Sequence, residues 1–297
     1  MFRPQAPGTL VAAMPVLFVL LWSTGFIGAK YGLPYAEPLT FLVVRFVLVI
    51  VLLGAVAVLT RAPWPDDPRL IAHLAVSGIL VHAIYLGGVF ASIHRGLPSG
   101  ISALIVGLQP LLTASVAGRL LGERVAPRQW LGLGLGLGGV ALVLSTRLTG
   151  LNLDGFGWDA IASAVAALGG ITAGTLYQKR FCTGMDLRSG AVIQYAGALV
   201  LVGIGAVSFE TMHIVWTMDF MLAMAWLVLV LSVGAISLLM ALIRMGEAAR
   251  VASLFYLVPP VTAVLAWALF GEQLGGIGLL GMVVAVAGVA LVIRRGR

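Results

Sequence analysis

Apolar residues along this chain run in ten long blocks, each ended by a short stretch carrying proline, glycine or charge. A helix needs about 20 apolar residues to cross the hydrocarbon core of a bilayer. The blocks predict helices over residues 9–31, 38–60, 70–94, 98–121, 128–147, 157–181, 187–209, 219–245, 248–270 and 275–294. The connections are short, and the longest polar stretch, R-A-P-W-P-D-D-P-R at 61–69, holds three prolines. No soluble domain is inserted. The first block, Leu10 to Ile27, has no A-x-A cleavage pattern after it and a second block follows at once, so it reads as a retained helix and not a signal peptide.

The last five blocks repeat the first five at an offset of about 150 residues. Gly139-Val140-Ala141-Leu142-Val143 returns as Gly288-Val289-Ala290-Leu291-Val292, Gly122-Glu123 as Gly271-Glu272, and Gly132 as Gly281. Pro110 pairs with Pro260, Gly96 with Gly246, Lys30 with Lys179, Glu37 with Asp186, and Arg45 with Gln194. Apolar sequences resemble each other by chance, but matched Lys, Glu and Pro at a nearly constant offset argue for duplication. The halves are expected at 1–149 and 150–297. An odd number of spans per half turns one half upside down relative to the other. The expected fold is therefore an all-α membrane protein, with ten transmembrane helices in two five-helix inverted-topology repeats around a central cavity.

Composition agrees. Hydrophobic residues make up 61% of the chain, charged residues 10%, and mean hydropathy is +1.09; soluble domains carry about 25% charged residues. The net charge of +7 would suit nucleic acid, but the basic residues cluster at block ends and read instead as topology signals and contacts for anionic lipid. On the side of the N-terminus lie Arg3, Arg61, Arg69, Arg119, Arg124, Arg128, Lys179, Arg180, Arg188, Arg244, Arg250, Arg294, Arg295 and Arg297. Only Lys30, Arg95 and Arg147 lie on the other side. The positive-inside rule then places both termini in the cytoplasm, and the expected location is the inner (plasma) membrane. Matched loops carry opposite basic content, as inverted copies should. A sole cysteine, Cys182, excludes an internal disulfide and a cysteine metal cluster.

Polar side chains inside a span are costly and tend to face protein or water. Blocks 5 and 10 nearly lack them and are rich in glycine. Spacings such as Gly132/Gly136 and Gly134/Gly138 suit close helix packing, within one monomer or across a homodimer. Spans 1, 3, 4, 6, 7 and 9 supply Trp22, Ser23, Thr24, Phe26, His82, Tyr85, Gln109, Thr172, Tyr177, Gln194, Tyr195 and Tyr256, the candidate lining of a substrate cavity. Helix–helix hydrogen bonding or interfacial anchoring is the plainer role for any one of them. Arg45, two turns into the second block, costs roughly 2–3 kcal/mol near the bilayer centre. It could hold a substrate carboxylate, or it could snorkel to the non-cytoplasmic surface or bond carbonyls; a structural or gating role is the commoner one. His82 could exchange a proton or sit neutral against a neighbour. Lys30 and Lys179 read as anchors at helix ends. Pro110, Pro259 and Pro260 remove backbone bonds and are candidate kinks or hinges in spans 4 and 9, whereas Pro98 only starts a helix.

The chain resembles the drug/metabolite transporter superfamily in its ten-helix EamA-type form. The resemblance rests on L-L-W-S-T-G-F-I-G-A-K at 20–30, V-V-R-F at 43–46, G-L-P-S-G-I-S-A-L-I-V-G-L-Q-P-L-L-T-A at 96–114 and L-L-G-E at 120–123, with the worn copies P-P-V-T-A at 259–263 and F-G-E at 270–272. It implies movement of small metabolites, often outward and often amino acids or related compounds, by alternating access. One departure is that Gln109-Pro110 becomes Pro259-Pro260, so the halves differ chemically there.

No G-x-x-x-x-G-K-[ST], H-E-x-x-H or G-x-S-x-G motif occurs, so ATP hydrolysis, metalloprotease and serine-hydrolase chemistry are unsupported, and no cofactor or metal is expected. The carboxylates Glu37, Glu123, Asp186, Asp219, Glu247 and Glu272 fall at block ends, which favours facilitated movement or exchange, or a proton route through His82. The competing classes are a membrane enzyme acting on a lipid or isoprenoid headgroup, and a scaffold. The expected partners are a small-molecule substrate and membrane lipid, no nucleic acid, with the protein a monomer or homodimer.

Overall fold

The computed structural model describes residues 9–97, 99–121, 125–148, 157–245, 251, 253–270 and 276–293. They form ten helical rods: α1 (Thr9–Gly32), α2 (Pro38–Leu59), α3 (Pro68–His94), α4 in two pieces (Ser99–Val106 and Gln109–Leu121), α5 (Pro127–Leu148), α6 (Trp158–Phe181), α7 (Leu187–Phe209), α8 (Met218–Met245), α9 (Val258–Phe270) and α10 (Gly276–Ile293). Among the described residues, six of these (α1, α2, α3, α6, α7 and α8) are long and apolar enough to cross a membrane, and α10 is a shorter apolar helix. Residues 248–250, expected to open the ninth span, lie outside the described residues.

Local chemistry sets the helix starts. Pro38 and Pro68 stand in the first turn, where a missing N–H costs nothing. The Oδ1 atoms of Asp67 and Asp186 accept from the backbone N–H groups of Arg69 and Arg188, both at 2.9 Å. Asp186 also pairs with its own Arg188 side chain at 2.8 Å, which holds its carboxyl down at about 2. Large apolar side chains such as Val58, Val200, Val207 and Val283 stay exposed along the rods, as lipid-facing residues do. Trp158, Phe209 and Trp216 are exposed at helix ends, in the manner of an interfacial aromatic belt.

Packing follows the repeat. α5 lies along α10, and α2 along α7. α1 packs on α8 and α9, as α6 packs on α3 and α4. Each contact keeps its counterpart when a rod is exchanged for the one five places on. Several helix approaches are too close for a side chain. A Cβ on Gly288 would meet the Gly132 carbonyl and the Gly136 N, and one on Gly78 would strike the Gln194 carbonyl. A Cβ on Gly132 or Gly139 would likewise run into α10 within the monomer, and one on Gly136 into the ring of Tyr256, while at Gly134 and Gly138 a Cβ would meet nothing within 4 Å.

α3 and α8 each widen into a π-helical segment at equivalent places, Ile79–Ile84 and Leu227–Ala235. The fourth and ninth rods are broken. α4 is interrupted at Gly107–Leu108, and a 3-10 turn at Leu254–Leu257 precedes α9. Pro110 and Pro259–Pro260 therefore stand at the restart of a helix, not inside one; the breaks lie just upstream of them.

Candidate functional site

The π-segments bring residues of opposite halves together at mid-rod. Arg45 on α2 is buried and its Nε donates to the Ser232 hydroxyl at 2.9 Å, inside the π-segment of α8. It is buried and not at a surface, and among the described residues its hydrogen bond goes to a hydroxyl and not to a backbone carbonyl. The equivalent place in the other half holds Gln194 on α7 beside the π-segment of α3. There Gln194 Nε2 donates to Ser77 at 3.3 Å, and Ser77 donates to Gln178 at 3.4 Å. Between the two centres lie Phe46 and Tyr195, 5.4 Å apart between centroids. Tyr195 stacks on His82 at 4.0 Å and makes a long hydrogen bond of 3.5 Å to the Ser232 carbonyl. His82 is fully buried, and neither ring nitrogen is hydrogen-bonded.

A cavity of about 30 Å³ opens beside Arg45, walled by Trp22, Gly25 and Phe26 of α1, Tyr85, Val89 and Phe90 of α3, and Leu231 of α8. Trp22 stacks on Tyr85 at 6.1 Å, and its Nε1 donates to the Tyr85 hydroxyl at 3.2 Å. Phe18 and Phe255 close on Trp22 from behind, at 5.0 and 5.2 Å. A cavity of this volume has room for about two waters, so this wall must part to admit a metabolite.

Among the described residues no carboxylate pairs with Arg45; the ion pairs are Arg95–Asp159 and Arg188–Asp186. Of the anticipated residues, Trp22, Phe26, Arg45 and Tyr85 share the cavity wall. Ser23 turns back onto the carbonyls of Val19 and Val258. Tyr177 sits at the far end of α6, bonded to His73 at 2.7 Å and packed on Phe181. Lys179 donates to the Ile243 carbonyl at 2.9 Å, capping the end of α8. Gln109 and Thr113 on α4, Tyr256 in the 3-10 turn and Thr172 on α6 are buried with polar atoms unpaired. Sequence reasoning passed over Ser232, Phe90 and the phenylalanines behind Trp22. Ser232 had a signal, because the repeat offset sets it opposite His82.

At the end where α1 finishes, the halves are tied by a helix cap and a loop contact that run in opposite directions. Glu210, just after α7, accepts from the backbone N–H groups of Leu39 and Thr40 in the first turn of α2, at 2.8 and 2.6 Å, and from the Thr40 hydroxyl at 2.7 Å. Glu37, the N-cap of α2, accepts from the backbone and hydroxyl of Thr211, both at 2.7 Å. Ala36 bridges to Ile214, and Tyr35 donates to Asp219 at 3.1 Å. The Thr211 hydroxyl holds the Glu37 carboxyl below its ordinary value. A depressed carboxyl stabilises above its unfolded pKa of about 4.3 and loses that contribution as pH falls through the folded value. The tie is expected to be intact at neutral pH and to loosen only in acid below about 4. Spin labels on the α1–α2 and α7–α8 loops would check this by their separation across a pH titration.

The sequence pattern of the EamA-like transporter family matches residues 9–145 and again 158–294. The chain belongs to the EamA-like transporter family. It is accordingly a multi-pass membrane transporter with a small-molecule substrate, not an enzyme. This EamA-like transporter is 31% identical to the "Uncharacterized inner membrane transporter YedA" of Escherichia coli (strain K12), over 98% of the chain and 92% of the relative. It is 27% identical to the "Uncharacterized transporter YvbV" of Bacillus subtilis (strain 168), over 97% and 93%. It is 25% identical to a "Probable amino-acid metabolite efflux pump" of Escherichia coli (strain K12), over 93% and 92%. A solved crystal structure shares the fold at a TM-score of 0.76 and 20% identity, covering 95% of this chain and 96% of its own.

Proposed function

We propose that this transporter is a secondary carrier that moves amino acids or compounds built on them out across the inner membrane, or exchanges them, by alternating access. One observation carries the reading: a buried arginine with no carboxylate partner among the described residues forms part of an aromatic-walled cavity between the halves. Amino-acid cargo is supported by the names of distant relatives, and the inner membrane by that of YedA.

Two halves, 1–149 and 150–297, run antiparallel across the bilayer, with both termini in the cytoplasm. The contacts that exchange with the halves and the opposite charges of matched loops support this arrangement. The tie of Glu37 and Glu210 then closes the outward end. Trp22, Phe26, Arg45 and Tyr85 hold the substrate. Gln109, Thr172, Tyr256 and His82, buried and unpaired here, find partners when the cavity opens. An orphaned buried polar group costs about 1–3 kcal/mol, so such a set favours a second arrangement. Pro110, Pro259 and Pro260, at the broken rods, serve as hinges.

The test is efflux from proteoliposomes loaded with amino acids, with and without a lock. Ala36→Cys with Ile214→Cys places a disulfide across the bridge that joins the loops. Oxidation is expected to stop saturable efflux and reductant to restore it. Efflux indifferent to the lock, or no saturable efflux at all, would sink the reading.

A further inference from the structure

The charges around the cavity do not balance. Among the described residues its wall contains one cation, Arg45, and no anion. The described carboxylates Glu37, Asp66, Asp67, Asp159, Asp186, Glu210 and Asp219 all stand in loops, at caps or in the first turn of a helix. The titratable neighbours of Arg45 are Tyr85, Tyr195 and His82, none of which is negative at neutral pH. Ser232 satisfies Nε, and the terminal guanidinium nitrogens have no hydrogen bond among the described residues. The remaining wall is Trp22, Phe26, Tyr85, Phe90 and aliphatic groups.

In such a medium a charge is tolerated when a partner neutralises it. A carboxylate brought to the free edge of Arg45 makes the fork-shaped pair that guanidinium favours and leaves the site neutral. A zwitterionic amino acid makes the same pair but brings an ammonium for which this wall has no counter-charge. A cation without a carboxylate meets repulsion alone.

We propose that the cavity selects ligands of net charge −1: a carboxylate on an apolar or aromatic body whose amine is absent or masked, such as a 2-oxo acid or an N-acyl amino acid. This rests on the carrier reading of the same site and refines its cargo. Arg45 is the carboxylate anchor, Ser232 orients the guanidinium, and the aromatic wall receives the body.

Three probes share one benzyl body: phenylpyruvate (anion), phenylalanine (zwitterion) and phenethylamine (cation). Binding to the full chain in nanodiscs is measured by equilibrium dialysis, and efflux from proteoliposomes in parallel. Phenylpyruvate is expected to bind at least about tenfold tighter than phenylalanine, with phenethylamine weakest. Arg45→Gln should bring phenylpyruvate and phenylalanine to comparable affinity. Arg45→Lys, which keeps the charge but loses the fork, should weaken phenylpyruvate while keeping its lead. Phenylalanine bound as tightly as phenylpyruvate, or a preference that survives Arg45→Gln in a monodisperse protein, would overturn the proposal and leave the carrier reading standing. Phenylpyruvate bound through Arg45 but not moved would uphold the anion site and overturn the carrier reading. If Arg45→Gln fails to fold, Ser232→Ala decides in its place: it should weaken phenylpyruvate and spare phenethylamine, and equal losses for both would count against the proposal.

Discussion

Arg45→Met is expected to cut efflux about thirtyfold or more while melting no earlier than the parent protein. The two halves of this expectation come from opposite sides of the same energetics. Removing one member of a buried charge pair between protein and ligand costs at least about 2 kcal/mol, and each 1.4 kcal/mol is a factor of ten. In the unliganded fold, however, Arg45 has the Ser232 hydroxyl and no opposite charge. Burying an unpaired guanidinium is costly, and an apolar side chain of similar length relieves that cost. Stability and flux should therefore separate. Thermal melting of the detergent-purified protein, set beside initial efflux rates, measures both; a melting temperature that fell along with the flux would make Arg45 a brace and not an anchor.

Gly288→Leu is expected to prevent recovery of a folded monomer. The first added carbon would contact backbone atoms of Gly132 and Gly136, which cannot rotate aside as a side chain would. Overpacking of this kind costs about 3 kcal/mol or more when backbone must shift, and α5 would be pushed off α10 along much of its length. Gly138→Leu supplies the control, since nothing lies within 4 Å of its added carbon. It should change stability by less than about 0.5 kcal/mol. Size-exclusion profiles and melting curves of the two variants decide the matter. A well-folded Gly288→Leu protein would mean that α5 and α10 are not held together by this seam.

The rods were legible because lipid imposes length and apolarity, and because proline marks helix starts regardless of tertiary context. The second block was expected at 38–60, and the helix runs Pro38–Leu59. The duplication was equally plain, since Lys, Glu and Pro at matched offsets survive where apolar residues drift. The π-segments were not foreseeable: Ile79–Ile84 and Leu227–Ala235 read as ordinary helix, and in the fold they pack against α6 and α7 in one case and α1 and α2 in the other. Polarity alone could not sort the site either. Tyr177 and Tyr85 look alike in sequence, yet one bonds His73 near a helix end and the other stacks on Trp22. Which neighbour a helical residue meets depends on rods far away in the chain. The proline breaks were located to within a turn, and their offset has a simple cause: the restart of a helix is where proline costs least.

The cap that Glu210 places on α2 also bears on how the protein is made. Leu39 and Thr40 leave the ribosome roughly 170 residues before Glu210, which accepts their N–H groups. Synthesis proceeds at about 5–20 residues per second, so for some seconds the start of α2 must rely on water or lipid headgroups for those bonds. The first half can thread into the bilayer early, but its loop settles only when the second half arrives, and assembly of the two copies becomes a single late event.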